Sequence, residues 1–199
     1  ESRGLGDVYK RQLSNPVNRC YFCKSNLYDS LMQIAAVHDH GTVVSGANLD
    51  DLGEYRPGLD AAAERGVRHP WIEARFAKTD IRALARALDL PFAELPSSPC
   101  LASRLYTGTR VTAERLRAVH ACETLIRQQT GLDVVRCRVR GDMLIVEVAD
   151  AARYLVTPQL LAELQSVAAS QEPGITAAIL DAEAYRPGRA FVGNKERAQ

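Results

Sequence analysis

Thr42-Val43-Val44-Ser45-Gly46-Ala47-Asn48-Leu49-Asp50-Asp51 (residues 42–51) is the stretch on which the fold turns. A β-branched run opening into a Gly, Asn and Asp loop reads as a short strand that ends in a polar turn. Upstream, Phe22, Leu27, Leu31, Ile34 and Ala35 recur near helical spacing between Tyr21 and Val37, and Gly41 follows. Helix, turn, strand and polar loop make one unit of a parallel α/β sheet. Such sheets bind ligands at the carboxyl ends of their strands, so Asn48 to Arg56 becomes a candidate site. Within it, Asn48, Asp50 and Asp51 are equally suited to meeting Mg²⁺ or nucleotide hydroxyls and to shaping a turn.

Further along, a short helix is expected over Asp60 to Arg65. A stronger one runs from Lys78 to Leu88, with Ile81, Leu84, Ala85 and Leu88 on one face. A loop broken by proline and serine follows (Pro91-Phe92-Ala93-Glu94-Leu95-Pro96-Ser97-Ser98), closed by Pro99-Cys100-Leu101-Ala102-Ser103-Arg104. The pattern then restarts. Thr112 is placed to cap a helix reaching Gln129 and stopping before Gly131. Asp133–Arg140 and Met143–Val148 read as strands of a hairpin turning at Gly141-Asp142. A helix over Pro158–Ala169 and a strand over Gly174–Leu180 complete a small α+β domain. Two differently built halves thus meet at Cys100.

Composition narrows the function classes. The 199 residues are 46% apolar and 25% charged, as in ordinary soluble globular proteins. A net charge of +1 marks neither a nucleic-acid nor a membrane surface, and no apolar run approaches the ~18 residues that span a bilayer. Five cysteines, an odd number, favour a reducing, cytoplasmic setting over a disulfide framework. Glu1 to Gln12 shows no periodicity and reads as a tail or assembly scar, after which the sequence starts abruptly near Leu13.

Four groups of residues carry candidate chemistry. Cys20 and Cys23 have Cys-x-x-Cys spacing, which suits packing, a metal or a redox pair, and leaves the metal question open. Arg136, Arg138 and Arg140 alternate along one expected strand, so all three guanidinium groups share a face. Like charges there repel unless an anion or an acidic partner offsets them, and guanidinium geometry suits phosphate or carboxylate. Arg56, Arg104 and Arg186 each lie beside a turn and can add to an anion site. Cys100 is either a small buried hydrophobe or, at the start of a helical turn beside Ser103 and Arg104, a reactive thiolate. The histidines His38, His40, His69 and His120 make no recognisable set.

Taken together, Asn18-Arg19-Cys20-Tyr21-Phe22-Cys23-Lys24, Gly46 to Asp51 with Tyr55-Arg56-Pro57-Gly58, Lys78 with Ile81-Arg82, Cys100 to Arg104, Arg136 to Asp142, and Leu180-Asp181 with Tyr185-Arg186 carry a resemblance. In that order they resemble the ATP-dependent sacrificial sulfur transferases of nickel-pincer cofactor synthesis, in the PP-loop ATP pyrophosphatase superfamily. The resemblance implies an α/β fold with an incomplete Rossmann-like PP-loop domain over residues 13–99 and a small α+β substrate domain over 100–193. The family's N-terminal strand and Ser-Gly-Gly-x-Asp-Ser loop have no counterpart in this sequence, which implies a fragment of the parent protein.

It further implies ATP and Mg²⁺ as cofactors, with a pyridinium dicarboxylate mononucleotide as substrate. Cys100 would be the consumed sulfur donor; Arg104, Arg136, Arg138 and Arg186 would bind substrate, and Asn48, Asp51 and Arg56 would lie near the nucleotide. Relatives that hold an iron–sulfur cluster carry three cysteines near the active site. The single Cys100 in the loop joining the two halves favours the sacrificial version. The expected partners are this mononucleotide and further copies of the chain, with no nucleic acid and no membrane. Two other readings stand beside it: another PP-loop thiolase such as a tRNA sulfurtransferase, and a non-catalytic nucleotide- or metal-binding module.

Overall fold

The computed structural model describes residues 5–38, 41–53, 55–95 and 99–186. The expected readings at Glu1–Gly4, His40, Pro96–Ser98 and everything after Arg186, including the second Tyr-Arg-Pro-Gly turn, lie outside them. The chain is mixed α/β and divides into two compact units. One comprises Glu1–Gln12 and Asn18–Ser98, the other Leu13–Val17 and Pro99–Gln199.

The first unit is helical. Helix α1 (Leu5–Leu13) corrects the reading of this stretch as a featureless tail. Leu5, Val8, Tyr9 and Leu13 fall at i, i+3, i+4 and i+8, and Lys10 and Arg11 suit the negative end of the helix dipole. The Arg11 guanidinium lies 5.6 Å from the centre of the Phe22 ring, and the Asn26 amide donates to Gln12 at 2.8 Å. Those contacts tie α1 to helix α2 (Arg19–Val37).

Helix α3 (Pro57–Ala63) packs on α2 around Tyr28, Ala62 and Val67, with Leu31, Met32 and Val43 at the margin. It comes so close that a Cβ on Gly58 would stand 3.0 Å from Lys24 Cγ, so only glycine fits without displacing that side chain. Arg65 forks onto the Asp29 carboxylate at 2.6 and 3.2 Å and closes the pair. Helices α4 (Pro70–Glu73) and α5 (Lys78–Ala87) follow.

The expected strand over Thr42–Ser45 is shorter than its composition suggests. Val44 pairs in parallel with Arg68 alone, through Arg68 N to Val43 O at 3.1 Å and Ser45 N to Arg68 O at 2.9 Å. Among the described residues this is the only ladder partner the segment finds, and a ladder cannot lengthen without one. On α5 only Ala85 is buried; Leu84 and Leu88, expected on its apolar face, are exposed.

The second unit holds the sheet and the main core. Strands β1 (Arg136–Arg140) and β2 (Met143–Glu147) form the expected hairpin, with Gly141 at φ 63° in the turn. Strand β3 (Ala177–Leu180) adds in parallel to β2, giving the order β1-β2-β3. Helices α6 (Ala113–Thr130) and α7 (Pro158–Gln171) cover one face. Ile126, Leu144, Leu164, Val139 and Val146 are fully buried between them, each contributing about 1.5–3 kcal/mol.

The helix ends follow sequence chemistry. Thr112 Oγ1 accepts from Arg115 N at 3.2 Å, and Thr157 Oγ1 from Leu160 N at 3.2 Å. Gly131, at φ 71°, closes α6 in the left-handed conformation. The Leu13–Val17 segment is bound into this unit: buried Asn15 donates to the carbonyls of Leu105 and Tyr106 at 3.2 and 2.9 Å. Asn15 holds φ 55°, which asparagine tolerates better than most residues.

Candidate functional site

Two groups of functional side chains emerge, one in each unit. In the first, the 46–51 loop is shaped by its own side chains. Asn48 Oδ1 accepts from Asp50 N at 3.0 Å, and Asp51 Oδ2 from Asn48 N at 3.1 Å. Asp51 Oδ1 then pairs with Arg56 Nη2 at 2.9 Å. Asp50 Oδ2 accepts from Lys78 N at 2.8 Å, placing a carboxylate on the first turn of α5, where the helix dipole favours it.

The result is a cleft of about 590 Å³. Asn48, Asp51 and Arg56, all singled out in the sequence, line it together. So do Asp50, Lys78, Arg82, Trp71 and Phe92. Three cationic side chains with aromatic walls suit an anionic ligand that carries a flat ring. Asp50 and Asp51 offer the one or two carboxylates that Mg²⁺ takes when phosphates complete its shell. Among the described residues no group of three or more His, Cys, Asp or Glu side chains is placed to hold a metal by itself. Cys20, half-buried, and Cys23, exposed, sit on the first turns of α2.

In the second unit, Cys100 is an exposed thiol preceding a tight helical turn over Leu101–Arg104. Ser103 N donates to Cys100 O at 2.9 Å, which fixes the turn. Arg104 is 4% exposed and folds back under it. Its Nη1 donates to Pro99 O at 2.8 Å, Cys100 O at 3.3 Å and Ser103 Oγ at 3.1 Å. Its Nε and Nη2 fork onto Glu123 at 2.9 and 3.3 Å.

The three arginines of β1 share a face, as their period of two requires, while Cys137 and Val139 point into the core. Their surroundings differ. Arg138 is buried: Nε donates to Glu147 at 2.8 Å and Nη1 to Ser103 O at 3.0 Å. Arg136 lies 5.2 Å from the Tyr185 ring centre and donates to Val135 O at 2.8 Å. Arg140 lies over Tyr106, and exposed Arg186 pairs with Glu183. The acidic partner that offsets the strand's charge is thus Glu147 of β2, on the same face.

The cysteines of this unit are sharply unlike. Burial pushes the Cys122 thiol up to about 12, with the neighbouring Glu123 charge adding to it. Burial likewise raises Cys137 well above the ordinary thiol range. Neither supplies thiolate near neutral pH, which leaves Cys100 as the exposed sulfur of the unit. Glu123 and Glu147 escaped the sequence reading, yet both left a signal. Glu123 interrupts the apolar stripe Val119-Cys122-Ile126, and Glu147 shares with Ile145 the strand face that pairs with Arg136 and Arg138.

No family model matches the chain. It is 38% identical over 177 residues to an uncharacterized protein of Synechocystis sp., covering 88% of this chain and 65% of the relative. It is 34% identical over 179 residues to the pyridinium-3,5-bisthiocarboxylic acid mononucleotide synthase of Lactiplantibacillus plantarum, covering 88% and 62%. An uncharacterized protein of Methanocaldococcus jannaschii is 28% identical over 138 residues, 69% of this chain and 54% of its own length. The chain therefore spans less than two thirds of the length of each of these relatives. Similarity to a protein named as a bisthiocarboxylic acid mononucleotide synthase thus extends along most of this chain.

Proposed function

We propose that the protein transfers sulfur from Cys100 to an adenylated pyridinium dicarboxylate mononucleotide. The observation that carries the reading is the contrast among the cysteines of the second unit. Cys100 is exposed on an ordered turn, whereas Cys122 and Cys137 are buried with raised pKa values. The name of the Lactiplantibacillus relative supports a thiocarboxylate product.

In this reading residues 13–99, apart from the Leu13–Val17 segment bound into the second unit, belong to a Rossmann-like PP-loop domain and residues 100–193 to a small substrate domain. The 590 Å³ cleft takes ATP, with Arg56, Lys78 and Arg82 facing phosphates and Asn48 and Asp51 near the nucleotide. Asp50 and Asp51 would hold Mg²⁺, which supplies charge neutralisation at the phosphates when bound.

A substrate carboxylate attacks the α-phosphorus, giving an acyl-adenylate and pyrophosphate. The Cys100 thiolate adds to the acyl carbon and AMP leaves, forming a thioester. Loss of the Cys100 Cα proton and cleavage of its Cβ–S bond then give a thiocarboxylate and dehydroalanine. No oxidant or reductant enters. Arg136 and Arg186 serve the substrate's anionic groups, while buried Arg104 and Arg138, engaged by Glu123, Glu147 and the carbonyls of the Cys100 turn, hold that turn.

The test is a comparison of the full-length protein with its Cys100→Ala variant, given ATP, Mg²⁺ and the mononucleotide. The wild type should release pyrophosphate and form at most one thiocarboxylate per protein, and the variant should form none. Thiocarboxylate formed by Cys100→Ala at the wild-type level would overturn the reading.

A further inference from the structure

Two buried acid–arginine pairs converge on the same six residues, Pro99 to Arg104. Glu123 on α6 holds Arg104, which grips the carbonyls of Pro99 and Cys100. Glu147 on β2 holds Arg138, which grips the carbonyl of Ser103. Both glutamates are almost fully buried, at 2% and 0% exposure. Glu123 also accepts from Cys137 N of β1 at 3.1 Å and from Arg127 Nη2 at 2.9 Å, so one carboxylate joins helix, strand and turn.

Stability is a weak reason for such a pair. A buried ion pair is commonly no more stabilising than apolar side chains of the same volume, and apolar neighbours Val119, Cys122 and Ile126 already line this face of α6. What an apolar replacement cannot do is hold two consecutive carbonyls at a fixed angle. A guanidinium can, because its donors form a rigid planar fork, and a bidentate carboxylate fixes the plane of that fork.

We propose that Glu123 is a positioning residue for Cys100, setting the direction of the exposed thiol through Arg104, with Glu147 and Arg138 holding the other end of the turn. This rests on the reading of Cys100 as the sulfur donor. Attack on an acyl carbon followed by β-elimination needs one sulfur in two successive geometries, and both tighten as the turn is held still.

The experiment compares wild type, Glu123→Gln and Arg104→Lys in the full-length protein. Glutamine keeps the volume of Glu123 but lacks the charge and one acceptor. A lysine ammonium cannot reach the Glu123 carboxylate and both carbonyls with the geometry of a fork. Two quantities are read: amide exchange at Ser103 and Leu105, whose N–H groups close the turn, and the single-turnover rate of sulfur loss from Cys100.

In the Glu123→Gln variant, exchange at these two amides should rise at least tenfold while the α6 amides stay protected. Sulfur loss should slow at least tenfold, with the ATP concentration for half-maximal rate within twofold of wild type. If Glu123→Gln does not fold, Arg104→Lys is expected to show the same pattern. Wild-type sulfur loss with unchanged turn exchange in a folded variant would overturn the proposal alone. Wild-type protein that forms thiocarboxylate while Cys100 keeps its sulfur would overturn it together with the reading beneath it.

Discussion

Cysteine alkylation under native conditions separates the five thiols by a margin that follows from burial. At pH 8 a thiol of ordinary pKa, about 8.5, is roughly a quarter ionised. Cys122, held at about 12, is ionised to roughly one part in ten thousand, since each unit costs a factor of ten. Its labelling rate therefore falls about two thousandfold before any steric exclusion is counted. Its sulfur is fully buried and donates to Leu164 O at 3.5 Å, so direct attack is also blocked. The remaining route is unfolding. With a stability of even 5 kcal/mol the open state is populated about one part in several thousand, which sets a similar ceiling. Iodoacetamide at pH 8, followed by peptide mass mapping, should modify Cys23 and Cys100 within minutes and leave Cys122 and Cys137 at least about a thousandfold slower. Labelling of Cys122 or Cys137 within tenfold of Cys100 in the folded protein would refute the assignment of these two as inert core sulfur.

The same burial makes stability depend on pH. The folded pKa of Cys122 lies above its unfolded value, so its contribution is complete below pH 8.5 and is lost as pH rises towards 12. Between pH 8 and 9.5 urea unfolding of the wild type should lose about 1 kcal/mol more than that of Cys122→Ala, which keeps the similar contribution of Cys137. Glu147→Ala, which strands Arg138 in the interior, should cost about 3–5 kcal/mol by urea denaturation. Thr112→Ala removes the cap of α6 and should cost about 1 kcal/mol. Gly131→Ala meets no atom within 4 Å but must adopt φ 71°, and should cost about 1 kcal/mol from the backbone alone, read as a lowered melting temperature.

The second unit was legible because its signals are local. The cap at Thr112, the left-handed glycine at Gly131 and the Gly141-Asp142 turn each act within four residues, and all appear where the sequence places them. The hairpin strand opens at Arg136 rather than Asp133, a difference at a fraying end. The Thr42–Ser45 segment was less legible because a parallel ladder depends on a distant partner, here Arg68. Helix α1 is not evident in the sequence because five charged residues and two glycines in Glu1–Gln12 obscure the spacing of Leu5, Val8, Tyr9 and Leu13.

For the candidate site, the loop from Asn48 to Arg56 and the arginine face of β1 follow from periodicity and turn chemistry. The cleft walls from Trp71 and Phe92 do not, since they come from separate segments of the first unit. Nor do the partners of Arg104 and Arg138. Each lies in a different element, and only the folded register brings Glu123 and Glu147 beneath the cysteine turn.

The central claim is that Cys100 gives up its sulfur, and intact-protein mass spectrometry tests it most directly. After one turnover with ATP, Mg²⁺ and the mononucleotide, the full-length protein should be lighter by the mass of one H₂S, with dehydroalanine mapped to position 100. Thiocarboxylate formed by a protein of unchanged mass, its Cys100 still alkylatable, would contradict the account.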